Sequence, residues 1–113
     1  MDIDIYFQPI KALEYAKNTL GYFTNFHTDD NFPYWEESDI AIIGVNEDRG
    51  TNSNKGCAIG ADAIREELFG LYHHNKAIKI CDLGNVSPGA SVEDTYHAVS
   101  DVIQNLIKKN VFV

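Results

Sequence analysis

Cysteine is scarce in this chain: Cys57 and Cys81 are the only two, and no CxxC spacing joins them. Neither a disulfide framework nor a zinc knuckle is indicated, and two reduced, partly buried thiols are the expected state. Basic residues are also few, 9 lysines and arginines against 17 aspartates and glutamates, for a net charge of -8. The cations are dispersed rather than striped, so phosphate backbones are repelled and no nucleic-acid partner is expected. No apolar run approaches the roughly 20 residues of a membrane span, which argues against a membrane partner. The opening MDIDIYFQPI lacks the basic and apolar regions of a signal peptide, and a cytoplasmic location follows as the expectation.

What remains is a chain of 113 residues, about the length of one modest domain. Ile3, Ile5 and Phe7 alternate weakly before Pro9, as a short extended segment would. Ile10, Leu13, Ala16, Leu20 and Phe23 then recur near helical spacing between Lys11, Glu14 and Lys17, which predicts an amphipathic helix from Ile10 to Phe23. TNFHTDDNFPYWEES, residues 24–38, shows neither period and reads as a loop. Its aromatics Phe26, Phe32, Tyr34 and Trp35 either pack onto the body of the domain or rest on other chain.

DIAIIGV, residues 39–45, is a continuous β-branched run and predicts a strand buried on both faces. Ala61 to Tyr72 predicts a helix with Ile64, Leu68 and Leu71 inward and Arg65, Glu66 and Glu67 outward. AIKICDL, residues 77–83, predicts a second strand closed by Gly84. Ser91 has the character of an N-cap for a helix to about Lys109, with Val92, Tyr96, Val99, Ile103, Leu106 and Ile107 as its buried stripe. NVFV, residues 110–113, begins like a third strand. Strand, helix, strand, helix and strand onset is the unit of a doubly wound α/β sheet, and implies the N-terminal piece of a longer α/β protein.

The glycines of IAIIGVNEDRGTNSNKGCAIGADAIR do not make a nucleotide cradle. Gly44, Gly50, Gly56 and Gly60 lack the GxGxxG spacing, and Lys55 precedes its glycine where a P-loop needs the reverse. The connection from Val45 to Ala61 is long for a βα loop, and such loops tend to serve function. It leaves the carboxyl end of a strand, as does the loop after DLGNV, so the two are expected side by side on the ligand edge of the sheet.

In order of features, this stretch resembles the N-terminal signature of the ureohydrolase superfamily, which includes arginase, agmatinase and formimidoylglutamase. The apolar strand ends in Gly44 and Val45, then come Asp48, Gly50, Thr51, Gly56 and Gly60, then the Ile64 and Arg65 pair on a helix. CDLGNV resembles the second strand and its Asp-x-Gly-Asp turn, with Asn85 where an aspartate is common. YFQPI, NFPYW and EDRG look most like the formimidoylglutamase branch. The departures are Asn46 and Ala61, where prolines are frequent.

The resemblance implies the N-terminal part of a three-layer α/β/α arginase-like fold with a mostly parallel sheet, truncated at the start of the third core strand. Residues 1–38 would be an N-terminal helix and aromatic loop, and 39–113 the first portion of the ureohydrolase domain. It implies a parent that uses two manganese ions to hydrolyse a small linear amidine and that assembles as a homo-oligomer. The family's metal-binding motifs, Gly-Gly-Asp-His, Asp-x-His-x-Asp and Asp-x-Asp, do not occur here. No metal ligand, no catalytic residue and no bound cofactor is therefore expected in this chain.

The residues themselves agree. Adjacent His73 and His74 would diverge on a helix, and His97 belongs to a helix surface. Glu47 and Asp48 have no second acidic cluster to complete a cation site, so a solvated loop, or one whose shape Arg49 and Asp48 hold, is expected. Asn54 and Lys55 are the candidates for the substrate mouth, while Asp48, Arg49, Gly50, Gly56, Gly60 and Arg65 are expected to hold loop structure. Asp82 is expected to fix the DLGN turn, and Arg65 to anchor its helix to the sheet or to loop carboxylates. The competing class is a non-catalytic α/β interaction domain that meets a protein partner through its acidic surface and the aromatics of residues 26–35.

Overall fold

The computed structural model describes residues 3–11 and 13–113. A single 3-10 turn at Asp4–Tyr6 leads into β1 (Phe7–Gln8), and a one-turn helix α1 (Leu20–Phe23) into β2 (Thr24–Phe26). After a 3-10 turn at Trp35–Glu37 come β3 (Ile40–Val45), a 3-10 turn at Cys57–Ile59, α2 (Gly60–Leu68), β4 (Ile80–Val86) and α3 (Val92–Lys108). No helix among the described residues is long and apolar enough to cross a membrane.

β4 is the hub of the sheet. β3 runs parallel to it along one edge, from Ile40 opposite Ile80 to Val45 opposite Val86. On the other edge β2 pairs parallel with Ile80–Asp82 and β1 antiparallel with Asn85–Val86. The far edge of β3 carries a parallel bridge between Ile40 and Phe112, with Ala41 N donating to Phe112 O at 2.8 Å and Phe112 N to Asp39 O at 3.0 Å. The strand onset expected at residues 110–113 is thus present, and β3 lies between it and β4.

The register of β3 against β4 shifts between Ile42 and Gly44, because Ile42 faces Asp82 while Gly44 faces Asn85. The extra β4 residue forms a bulge, and Gly84 within it has φ +91°. The second strand therefore does not end at Gly84 as expected but runs through it to Val86, and Cys81 to Val86 are all buried. Alternation along β4 divides the surroundings. Cys81 and Leu83 join a core with Ala41, Val102, Leu106 and Val111, whereas Asp82 reaches Arg65 of α2. Burial raises the Cys81 thiol pKa, and Cys57 is exposed and free.

The helix expected over Ile10–Phe23 is corrected. Ala12 lies outside the described residues, and around it residues 10–11 and 13–19 form no helix. Ile10 N donates to His27 O, Asn18 takes a left-handed φ of 72°, and Thr19 bridges Tyr72. Tyr15 is the anchor of this segment: it stacks on Phe26 at 5.7 Å between ring centroids and meets Phe69 at 6.0 Å, while Leu13 is exposed. One partly buried aromatic packed against two others outweighs a run of weak helical preferences. Only the last turn, α1, is helical, with Thr19 Oγ1 accepting from Tyr22 N.

Aromatic packing also decides residues 24–38, which supply β2 instead of loop alone. Phe26 meets Phe69 edge-on at 4.8 Å, Phe32 lies against Phe7 and Trp35 is buried, so of the four only Tyr34 is strongly exposed. At the N-terminus the 3-10 turn breaks the alternation, turning Ile3 and Phe7 inward and Ile5 outward. Ser91 caps α3 as expected, its hydroxyl accepting from Asp94 N at 3.2 Å. The buried stripe of α3 is rotated from the expected one to Thr95, Val102 and Leu106, and leaves Tyr96 and Ile107 exposed.

Candidate functional site

α2 faces the sheet with a cation. Its buried stripe is Arg65, followed by Phe69 just past the helix end, while Ile64 and Leu71 are exposed. The expectation of Arg65 outward and Ile64 and Leu71 inward is thereby reversed. All five guanidinium N–H groups are used. Nε and Nη2 donate to Asp82 Oδ2 at 2.7 Å and Oδ1 at 3.0 Å, Nη2 also to Gly84 O at 3.1 Å, and Nη1 to Asp62 Oδ1 at 3.1 Å and Asn85 Oδ1 at 2.5 Å. Asp82 Oδ1 additionally accepts from Gly84 N at 2.9 Å, the Asx turn expected of it. Asn85 Nδ2 donates to Asp62 Oδ1 at 3.0 Å. An amide suits position 85 because an aspartate there would set a third carboxylate around one guanidinium.

The second polar cluster ties two loops together at the carboxyl ends of β3 and β4. Arg49 grips Glu47 through Nε at 2.9 Å and Nη2 at 2.6 Å, and reaches the carbonyls of Gly89 at 2.8 Å and Ala90 at 3.3 Å. Thr95 Oγ1, on the first turns of α3, donates to Glu47 Oε1 at 2.7 Å and accepts from Gly89 N at 2.8 Å. The two loops expected to be neighbours are therefore clasped. Glu47 is not solvated: its side chain is 6% exposed and both carboxylate oxygens are engaged by this cluster.

Hydrogen bonds from the Arg49 side chain, then from the Arg49 N–H and the Thr95 hydroxyl, hold the Glu47 carboxyl down at about 2 from an ordinary 4.5. A lowered folded-state pKa stabilises the fold fully above the unfolded value, and the contribution is lost as pH falls from 4.5 through about 2. Carbon-detected NMR titration should give Glu47 a midpoint near 2, and Arg49→Met should return it toward 4.5. A wild-type midpoint near 4.5 would mean that the clasp is open in solution.

Between these clusters the β3–α2 loop is closed on itself. Asp48 Oδ2 accepts from Gly56 N at 2.7 Å, so Asp48 does hold loop shape, although Arg49 pairs with Glu47 and not with it. Gly56 is required at its position by φ +98°. Gly50 lies against the Tyr96 hydroxyl, while a side chain at Gly60 would meet nothing and its φ of -62° is helical. Thr51 Oγ1 accepts from Ser53 N and Asn54 N. Both mouth candidates are exposed on this loop, but they differ: Lys55 Nζ turns back onto the carbonyls of Asp48 and Arg49, 3.3 Å from each, and Asn54 O accepts from Cys57 N.

The histidines stand apart. His27 donates from Nδ1 to Leu83 O at 2.9 Å, His73 is buried against Phe23, His74 meets Tyr72, and His97 is exposed on α3. Among the described residues no three His, Cys, Asp or Glu side chains converge on a point where a metal ion could sit. Sequence reasoning missed Glu47, Asp62, Asn85 and Thr95 as partners. Asp62 three residues before Arg65 was a legible helical pair, whereas Thr95 and Glu47 are 48 residues apart and no local signal joins them.

The sheet is mixed, parallel along β2, β4 and β3, and a long, self-closed loop at its carboxyl edge is tied to the neighbouring loop. The chain belongs to the arginase family, whose sequence profile matches residues 38–113. Formimidoylglutamase from Salmonella typhi is 31% identical over 81 residues, which cover 68% of this chain and 26% of that protein. The chain thus spans about a quarter of the length of the curated relative it matches. No solved structure matches it significantly.

Proposed function

We propose that this chain is the N-terminal part of a three-layer ureohydrolase that cleaves a small linear amidine of the formimidoylglutamate, agmatine or arginine class, with formimidoylglutamate favoured by the named relative. Residues 39–113 would form its first core elements, braced by the short strands β1 and β2 on the other side of β4. The observation that carries the reading is the position of β3. It lies between β4 and the strand begun by Phe112, which makes its carboxyl end a point where strand order reverses, and the clasped loop stands there. Ligands of open α/β sheets bind at such points.

The two manganese ions that the family resemblance implies do not fit the residues present, because the described residues offer no convergent ligand set. No step of chemistry is assigned to this chain through them. Its own contribution is to hold a rigid rim: Glu47, Arg49 and Thr95 fix the loop against α3, and Asn54 is the better placed of the two mouth candidates to meet a ligand, since Lys55 is spent on loop carbonyls. The interaction-domain alternative has less to support it, because Phe26, Phe32 and Trp35 pack onto the body of the chain and only Tyr34 of the four aromatics is strongly exposed. Homo-oligomeric assembly and a cytoplasmic location belong to the same proposal.

The test is a product assay on a longer polypeptide containing this chain and the three metal-binding motifs. With manganese, it should release formamide or ammonia from formimidoylglutamate, or urea from agmatine or arginine. Silence on all three, with two ions bound, would refute the reading.

A further inference from the structure

Beside the amino ends of β2, β3 and β4, where Thr24 and Ile40 both face Ile80, lies a cavity of about 330 Å³. The clasped loop stands at the opposite end of these strands. Three stretches far apart in sequence meet in the cavity wall: Phe23 with Asn25, Tyr34 with Glu37, and Lys76 with Lys79. Phe23 and Tyr34 are exposed aromatic walls, and Tyr34 is the aromatic of residues 26–35 that the core does not take up. Neither lysine is ion-paired. The ion pairs among the described residues belong to Arg49 and Arg65, although the chain has 17 acidic side chains. Lys76 is placed all the same: its Nζ sits 5.3 Å from the Phe23 ring centroid and donates to Asn18 Oδ1 at 3.0 Å. An ammonium has two further N–H groups to offer. Lys79 is held through its main chain, its N donating to Asp39 Oδ2 at 2.8 Å and its O accepting from Asp39 N and Ile40 N. Glu37 is the single carboxylate of the wall, so two ammoniums against one carboxylate leave a local excess of one positive charge on an acidic chain.

We propose that this cavity binds a small monocarboxylate on a flat apolar body, with the carboxylate at Lys76 and Lys79 and the body against Phe23 and Tyr34. One excess positive charge matches one carboxylate, whereas Glu37 in the same wall repels a phosphate dianion more strongly. The volume is at the small end of ligand sites, which suits a single ring and leaves no room for a nucleotide. A neutral ring would fill the aromatic walls but leave both ammoniums without a counter-charge. The site is separate from the proposed amidine mouth, and its test involves neither metal nor amidine.

Benzoate is titrated into the isotope-labelled 113-residue chain and followed by NMR, with benzyl alcohol, benzylamine and phenyl phosphate as the neutral, cationic and dianionic comparisons. Benzoate should shift the Asn25, Lys79 and Ile80 amides saturably with a Kd on the order of 1 mM, and the alcohol and the amine should not. Lys76→Met and Lys79→Met should each weaken binding by roughly two- to fivefold, as loss of an exposed charge pair does. Glu37→Gln should tighten it by a similar factor. Unchanged Val102 and Leu106 amide shifts in every variant serve as the folding control. No saturable shift with benzoate up to about 20 mM, equal binding of benzyl alcohol, or unchanged affinity in both lysine variants would overturn the proposal. Tighter binding of phenyl phosphate than of benzoate would overturn it as well.

Discussion

Replacing Arg65 by leucine is expected to destabilise the fold by about 3–5 kcal/mol, the usual consequence of stripping one partner from a buried ion pair. The cost does not lie chiefly in the lost attraction. Asp82 is fully buried, and without the guanidinium both of its oxygens lose their charged donor while Asn85 Oδ1 and Gly84 O lose theirs. Stranded polar groups carry the penalty. Arg65→Lys should recover only part of it, since an ammonium offers three donors from one point and cannot span Asp62, Asn85, Asp82 and Gly84 together. The double change Arg65→Leu with Asp82→Leu should be less damaging than Arg65→Leu alone, because it removes the unpaired charge. Urea unfolding of the four proteins measures all of this. A loss below about 1 kcal/mol for Arg65→Leu would show that water reaches Asp82 and that the network is not closed.

Gly84→Ala is the second large effect expected. The left-handed φ of +91° alone costs a non-glycine residue about 1–3 kcal/mol. A Cβ would also be driven into the backbone carbonyl of Gln8, so β1 must leave its register with Asn85 and Val86. Lost protection of the Ser87 amide, which donates to Tyr6 O, should accompany the fall in stability. Gly60→Ala is the internal comparison. Gly60 has helical φ and open space where its Cβ would be, so alanine there should be neutral or stabilising by about 0.4–1 kcal/mol. If both changes had the same effect, the bulge would not be the constraint described above.

The contrast between these two glycines explains how far the sequence could be read. Runs with a strong single period were legible: the β-branched run of β3, the cap and length of α3, and the strand onset before Val113 all appear where patterning put them. Where one residue's packing overrides the pattern, reading failed. Tyr15 on Phe26 and Phe69 dissolves a helix that spacing favoured, and Arg65 takes the inward position that Ile64 seemed to own. Period-based reading assumes that the buried face is apolar, and α2 buries a cation because Asp82 of β4 waits for it. Gly84 looked like a strand end because glycine weakens strands, but a bulge needs it inside one.

The polar clusters divide along the same line. Asp48 as loop holder, Asp82 as turn former and Arg65 as anchor were readable from residue type and local spacing. The Glu47, Arg49 and Thr95 clasp was not, because its parts come from two loops and a helix that only the folded sheet brings together. Likewise, nothing local told Lys55 from Asn54. That distinction depends on where the loop's own carbonyls point.

The chain belongs to the arginase family, and the proposed reading gives it the frame of the hydrolase while the catalytic groups lie elsewhere in the parent. Product release by the purified 113-residue chain, incubated with manganese and each of formimidoylglutamate, agmatine and arginine, tests it most directly. The account predicts no metal-dependent formamide, ammonia or urea above the protein-free rate. Sustained manganese-dependent turnover, abolished by chelation and restored by the metal, would contradict it.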